Sequence, residues 1–454
     1  MILLFCERSV KLVTRLGVGG MTIVCVDGAN MSLAKGSGIA VYGRNLIQAL
    51  NDLRYETQVL FGPAAPRHPA NFMNEVAIAD AARTRVRRGA LRALSTLTAR
   101  FGVSAYPVVR SGMVQWPDSG PLKPASDAFW SSQDLYNLSG RAFRHYGAFV
   151  PVRFDPEASG VRPPDICHWT APMPLRGKKT ANIYTFHDLI PLRLPHSTLD
   201  DKRAFFALCK EIVRTADHIV TVSEASRYDI IRMFDASPDR ISNTYQAVNL
   251  PQEVLDQNEN EVSTRLSKNF SLGWKDYYLF FGAVEPKKNV LRIIQAYLAS
   301  GSTRPLVIVA GRSWLADPET DLLNQMAKPE SFGAGVRRLE YLPSAMLRDV
   351  VRGARGMLFP SLMEGFGLPV LEAMQLGTAV ITSNSGALQE VAGEAGVRVD
   401  PTDTPAIAAA IVALDQDDGF REHLETQGRL QAAKFSPAAY KERLSMVYSK
   451  LGGA

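Results

Sequence analysis

The chain has 454 residues, of which 46% are apolar and 21% charged, and its formal net charge is +6. That length suits two domains of about 200 residues each, with ordinary globular composition, and the modest charge fits anionic small molecules or an acidic membrane surface without singling out nucleic acid. Cys6, Cys25, Cys167 and Cys209 are far apart and form no CxxC pair, which points to neither a zinc site nor a disulfide framework but to reduced thiols in a cytosolic setting.

No apolar run approaches the roughly 18 to 20 residues of a spanning helix. "MILLFC" is too short for a signal segment and lacks a basic flank and a cleavage site. Residues 1–20 are expected to be a disordered leader or the product of an upstream start codon, with a short membrane-touching segment as the third option. From Met21, "TIVCVDG" predicts a buried strand, followed by the Gly-rich loop "KGSG" and the helix "IAVYGRNLIQALNDL". "TQVLFG", "DICHW", "ANIYTFHD" and "HIVTVS" predict further strands, with helices such as "KRAFFALCKEIVRTA" between them. Such a βα series favours a mostly parallel sheet covered on both faces.

Residues 62–162 interrupt that series as an insertion rich in Arg, Pro and aromatics, and one helix is predicted in it from Asp80 to Phe101. Val86, Ala90, Leu94, Leu97 and Phe101 share one face, with Arg85, Arg88 and Arg92 opposite. Two readings stay open: the apolar stripe docks on the sheet, or the helix rests on anionic lipid.

A polar stretch near residues 250–274 carries no strand signal and separates the two units. The series then restarts with "YYLFFGAVEP", "KNVLRIIQAYLAS", "PLVIVAG", "RLEYLP", "SAMLRDVVRGA", "GMLFP", a helix from Leu368, and "TAVITS". The domains predicted are therefore 21–255, with its insertion, and 270–436. The fold class is α/β: two Rossmann-like doubly wound parallel sheets facing across a cleft, where strand carboxyl ends meet ligand. A final amphipathic helix occupies 437–454.

"FPSLMEGFGLPVLEAMQLG" holds the most informative spacing. Gly365 and Gly367 occupy the turn between a buried strand and a helix, and Pro369 sits in the first helical turn, where a missing N–H costs nothing. Bare backbone amides at the positive helix end, worth about half a unit charge, suit a phosphate or diphosphate. Glu364 before that end and Glu372 one turn inside it could accept sugar and ribose hydroxyls on either side of the phosphates; both could equally serve the helix dipole alone. Lys287 and Lys288 follow the first strand of the second unit and supply cations, and spacing leaves open which one points inward. His187 ends the strand "IYTF" beside Asp188, placed to touch a sugar or steady a transition state, or to be structural. Gly36 and Gly38 open a helix beside the cleft.

Together, "DGANMSLAKGSGIAVYGRNLIQAL", "TFHDLIP", "TVSEASRYDI", "GAVEPKKN", "PLVIVAGRSW" and the block from Leu342 to Gly396 resemble family 4 of the retaining glycosyltransferases, which have the GT-B fold. The resemblance runs from Met21 to the C-terminus except the insertion. It implies that Lys288 contacts the donor diphosphate, with the backbone of Gly365, Phe366, Gly367 and Leu368. It implies that Glu372 binds the ribose, Glu364 the donor hexose, and the backbone around Leu342 the base. His187 would sit beside the anomeric centre, and Gly36 and Gly38 would line the cleft. It further implies no metal or other cofactor and a last helix that crosses back onto the first domain. Many relatives carry Arg where this chain has Ala283, so phosphate neutralisation would rest on Lys288 and Lys287.

The favoured expectation is transfer of a hexose, first mannose from GDP-mannose, from a nucleotide sugar to a glycan or lipid-linked acceptor of a bacterial surface polysaccharide. UDP-sugars, or a non-catalytic nucleotide-binding scaffold, are the alternatives. The setting expected is cytoplasmic, with peripheral contact at the inner membrane. A nicotinamide oxidoreductase requires GxGxxG after the first strand, which "DGANMSLAKGSG" does not match. A hydrolytic carboxylate pair is a poorer match for the Gly-rich helix start between the glutamates.

Overall fold

The computed structural model describes residues 21–31, 38–80, 90–116, 126, 128–156, 160–310 and 335–451. The expected leader at 1–20, Gly36 and residues 81–89 of the expected insertion helix lie outside them.

Two sheets organise the chain. The first carries β1 (Ile23–Asp27), β2 (Glu56–Phe61), β3 (Val103–Val109), β4 (Ala128–Ser131), β5 (Val150–Phe154), β6 (Ile166–Trp169), β7 (Leu175–Gly177), β8 (Ala181–Phe186), β9 (His218–Thr221) and β10 (Ile241–Asn243). Their spatial order is β10-β9-β8-β6-β1-β2-β4-β3-β5-β7. Every pairing is parallel except β3 with β4. β1, β6, β8 and β9 are buried along their whole length, which is why they read as unbroken apolar runs rather than alternating ones. The insertion differs from expectation. One helix and no strand was expected in it, but β4 pairs β2 and carries β3 and β5 beyond it, widening the sheet.

The second sheet carries β11 (Tyr278–Phe281), β12 (Leu306–Val309), β13 (Val336–Leu339), β14 (Gly356–Phe359), β15 (Ala379–Ser383) and β16 (Val397–Val399). Its order is β13-β12-β11-β14-β15-β16, parallel throughout. In the first sheet the winding reverses between β1 and β6, and in the second between β11 and β14. Loops leaving the carboxyl ends of those strands diverge and open a crevice.

The helices that matter to the site, in chain order, are α1 (Gly38–Asp52), α2 (Asn71–Ala79), α3 (Ala90–Thr98), α4 (Leu135–Tyr146), α5 (Lys202–Thr215), α6 (Glu224–Phe234), α7 (Glu259–Phe270), α8 (Val290–Ser300), α9 (Ser344–Gly353), α10 (Leu368–Gln375), α11 (Gly386–Ala392), α12 (Thr404–Gln416), α13 (Asp418–Ala433) and α14 (Pro437–Ser449). α1 buries Tyr42, Leu46, Ile47 and Leu50 on one stripe. Ser223 caps α6 by accepting the amide of Ser226.

α14 packs on α1 of the first sheet. Tyr448 of α14 shares a 2.6 Å hydrogen bond with Nδ1 of the fully buried His168, whose Nε2 lies 2.8 Å from Thr185 Oγ1. Burial holds His168 down at about 3, so it is neutral at ordinary pH and serves as a core hydrogen-bonding group. Lys441 pairs with Asp52 at the rim.

In the described part of the insertion, helix is confined to α2, α3, α4 and a 3-10 turn at Ala99–Phe101. The described part of its apolar stripe, Leu94, Leu97 and Phe101, does not dock on the sheet. Leu94 and Phe101 are 57% and 69% exposed, while Thr96 and Ala99 turn inward. Small side chains let α3 approach α4 closely, which leaves the bulky ones outside.

Candidate active site

The second sheet's reversal brings together the loops after β11 and β14. After β11 the chain makes a 3-10 turn, Pro286–Lys288, ending on Asn289 with φ +63°. The Asn289 amide group donates to the carbonyls of Pro360 and Pro401 and locks the two loops side by side. Leu362 N–H donates to Lys287 C=O at 2.7 Å. Lys288 Nζ thereby reaches Glu364 Oε1 at 2.6 Å, both side chains about a tenth exposed, and lies 4.7 Å over the Phe359 ring.

Burial raises the Glu364 carboxyl, but Lys288 and Lys287 outweigh it and hold the group below its usual range. Lys287 is pulled down by burial, yet Glu364, Glu285, Asp188 and Asp200 together push it above its ordinary value. Lys287 is therefore a cation in a setting ringed by carboxylates, of which Asp188 follows β8 and Glu285 follows β11 closely.

Gly365, Phe366, Gly367 and Leu368 make the turn into α10. Gly367 has φ +111°, and a Cβ there would stand 2.6 Å from Leu388 Cδ2, so glycine is required on both counts. Phe366 turns inward onto Tyr245 and Phe435 at ring distances of 6.2 and 5.6 Å, so only its backbone faces the crevice side. The turn leaves α10 without a side-chain cap, and its free amides and Pro369 form an anion-ready helix start.

Glu372, one turn into α10, is in the opposite state. It keeps a little solvent contact but is dense with protein, and burial pushes its carboxyl up to about 7 against a small downward pull from Arg348. Among the described residues its carboxylate has no hydrogen-bond or ion-pair partner. Arg348 stands on α9, which begins just after the partly buried Leu342, so Leu342 and Glu372 belong to the same flank.

The first sheet contributes from β1, β6 and β8. His187 follows β8, and its Nε2 lies 2.8 Å from the Thr170 carbonyl. A carbonyl only accepts, so Nε2 carries the proton and Nδ1 remains an acceptor. Burial lowers the His187 pKa and keeps the ring neutral, and Tyr42 packs edge-on to it at 4.9 Å. Asp27, buried at the end of β1, accepts the amides of Thr170 and Ala29. Gly38 is exposed at the start of α1.

The two lobes touch at this place. A Cβ on Gly365 would lie 2.5 Å from the His187 carbonyl oxygen and 3.1 Å from Asp188 Oδ2. Beside it, Glu390 of α11 accepts the amides of Glu224 and Ala225 at 2.8 and 2.7 Å, capping α6 of the other lobe. His187, Lys287, Lys288, Glu364 and Gly365 thus form one cluster, with Glu372 and Leu342 on its flank. Sequence reading missed Tyr42, Thr170, Glu390 and Arg348. Their partners are remote in the chain, and no local pattern announces them. Among the described residues no group of three or more His, Cys, Asp or Glu is disposed to hold a metal ion, and no helix is long and apolar enough to cross a membrane.

Residues 265–431 match Glycosyl transferases group 1, and residues 138–251 match Glycosyltransferase Family 4. The chain belongs to the family 4 glycosyltransferases. One relative of this family 4 chain is O-antigen chain mannosyltransferase B of Escherichia coli, 37% identical over 259 residues, which are 56% of this chain and 66% of that one. Another is the serotype-specific mannosyltransferase WbdA of Escherichia coli, 29% identical over 276 residues, 59% of this chain and 33% of WbdA. The chain thus spans less than two thirds of either relative. Among solved structures, sucrose-phosphate synthase from Thermosynechococcus elongatus superposes with a TM-score of 0.63 at 17% identity, covering 95% and 99% of the two chains. Anabaena HepE in complex with UDP and glucose superposes at 0.61 and 14% identity, covering 95% and 100%. These place the fold of this glycosyltransferase as GT-B.

Proposed function

We propose that this glycosyltransferase moves mannose from GDP-mannose to a hydroxyl of a growing or lipid-linked glycan in surface polysaccharide synthesis, with retention and without a metal. The observation that carries the reading is the uncapped start of α10 standing beside the buried Lys288–Glu364 pair. The diphosphate lies against the amides of residues 365–368 and the two lysines, which supply the charge a metal would otherwise provide. Glu372 accepts the ribose diol and Glu364 the hexose hydroxyls. His187 Nδ1 accepts a further hydroxyl next to the anomeric carbon.

The bond from the anomeric carbon to the diphosphate oxygen breaks as the acceptor oxygen bonds on the same face. The acceptor proton passes to the departing diphosphate oxygen, so no protein base is needed. Mannose and a glycan acceptor rest on the names of the relatives, an O-antigen chain mannosyltransferase among them. A UDP-sugar is the second reading, favoured by the UDP and glucose of the HepE structure.

The test is thermal-shift binding of GDP, UDP and ADP with their sugars, followed by turnover of the best donor by wild type and Glu364→Ala. GDP is expected to give the largest shift, and the variant to lose turnover. A larger response to UDP removes mannose from GDP-mannose, and equal turnover by the two proteins removes the catalytic reading.

A further inference from the structure

The insertion's outward face has no role in the donor site. Leu94, Leu97 and Phe101, spaced one helical turn apart on α3 and its 3-10 extension, are 57%, 37% and 69% exposed. Arg92 and Arg100 are exposed on the same element, with the Arg100 guanidinium 4.7 Å over the Phe101 ring. Arg144 is exposed at the end of α4, which packs on α3. Arg153 is exposed and lies beside Gly102. Among the described residues none of these four arginines is in an ion pair. In the sequence, seven arginines and no acidic residue occur between Asp80 and Asp118. An apolar ridge fringed by arginine and free of carboxylate on its own segment is complementary to an anionic interface.

Its position in the fold adds a second argument. β4 is parallel to β2, whereas β3 runs antiparallel to β4. The start of β3, two residues after Phe101, therefore lies at the edge where β1, β6 and β8 present their carboxyl ends and His187. Five strand spacings separate β3 from β8 in the sheet order, about 24 Å along that edge. A surface touching Phe101 faces the side on which the crevice opens.

We propose that the outer face of α3, with Leu94, Leu97, Phe101 and Arg100, and with Arg153 beside its end, is a docking surface for an anionic lipid bilayer. Leu94, Leu97 and Phe101 enter the headgroup–acyl boundary while the arginines meet the lipid phosphates. The surface holds the crevice edge against the plane from which a lipid-linked acceptor arrives; its use in catalysis rests on the lipid-linked reading of the acceptor, but the docking itself does not.

The full-length chain is sedimented with phosphatidylcholine vesicles, with and without phosphatidylglycerol, in the absence of any donor. Wild type is expected to bind the anionic vesicles in a salt-sensitive way. Combined Leu94→Ser, Leu97→Ser and Phe101→Ser should lower the bound fraction about tenfold or more, and Arg100→Glu with Arg153→Glu should remove the preference for phosphatidylglycerol. All five sites are at the surface, so unchanged thermal midpoints confirm folding, and turnover of a water-soluble acceptor should be unaffected. Equal binding by wild type and the triple variant, or no wild-type binding, overturns the proposal. A wild-type dimer that the triple variant dissociates also overturns it, assigning the face to a second copy of the chain. Vesicle binding by a chain that turns over no nucleotide sugar would sink the catalytic reading and leave this one standing.

Discussion

Replacing Glu372 with Gln removes a charge while keeping the shape, and the structure sets the size and sign of the effect. The group's ordinary value of 4.5 is raised to about 7 by burial, so the folded chain prefers the neutral form. A raised carboxyl contributes its stability in full below 4.5 and loses it as pH rises through 7. At about 1.4 kcal/mol per pH unit, the interval from 4.5 to about 7 corresponds to roughly 3 kcal/mol, an upper figure because the side chain keeps some water. Glu372→Gln should therefore raise the thermal midpoint at pH 8, with the gain shrinking towards pH 4.5. The same change removes a carboxylate acceptor for the ribose diol, a bond to a charged group worth about 1.5–3 kcal/mol. Calorimetry should then show GDP or UDP binding about 10- to 100-fold more weakly. Wild-type affinity should fall as pH drops below 7, and the variant's should not. An unchanged midpoint at pH 8, or unchanged nucleotide affinity, would refute the burial argument or the ribose assignment respectively.

Lys288→Met leaves Glu364 buried with Lys287 as its remaining cation; stability should fall by about 3–5 kcal/mol, and kcat/KM by about 100-fold or more, measured by nucleotide release. Gly365→Ala puts a methyl group 2.5 Å from the His187 carbonyl oxygen. The lobes must separate there, and kcat should drop of order 10- to 100-fold while the isolated nucleotide still binds. Wild-type kcat in this variant would show that the contact between the lobes is not needed for turnover.

Much of the second lobe could be read directly. β11, β12, β14 and β15 are central parallel strands covered on both faces, so their apolar runs stand out from the polar loops. The Gly365–Gly367–Pro369 pattern likewise reports a local requirement, a tight approach and a helix start, and local requirements leave local marks. The insertion was harder. β3 contains Pro107, which ordinarily argues against a strand, yet pairing with β5 covers Val103–Ala105 and Pro107 lies past it. β4 has four residues, too few for a periodicity. The described part of the α3 stripe, Leu94 to Phe101, turns outward, because its orientation depends on Thr96 and Ala99 fitting α4, a packing preference that hydrophobicity does not encode. Contacts such as Glu390 on α6 join residues 165 and 166 positions apart, and only the folded chain brings them together.

The two glutamates of one short block end in opposite electrostatic states, and the reason lies in which element each occupies. Glu364 belongs to the loop locked beside the lysines and is ionised and paired. Glu372 belongs to the helix body, beyond reach of those cations, and is buried without a partner. On the proposed reading a donor must change both. Its diphosphate competes with Glu364 for Lys288, an exchange that uncovers a buried carboxylate unless hydroxyls replace the ammonium. Its ribose diol gives Glu372 the donors that the protein withholds. A nucleoside diphosphate alone satisfies Glu372 and leaves Glu364 short, whereas the intact nucleotide sugar satisfies both. The hexose is thus recognised through the cost of its absence at Glu364, and the site binds its donor as one unit across the eight-residue interval.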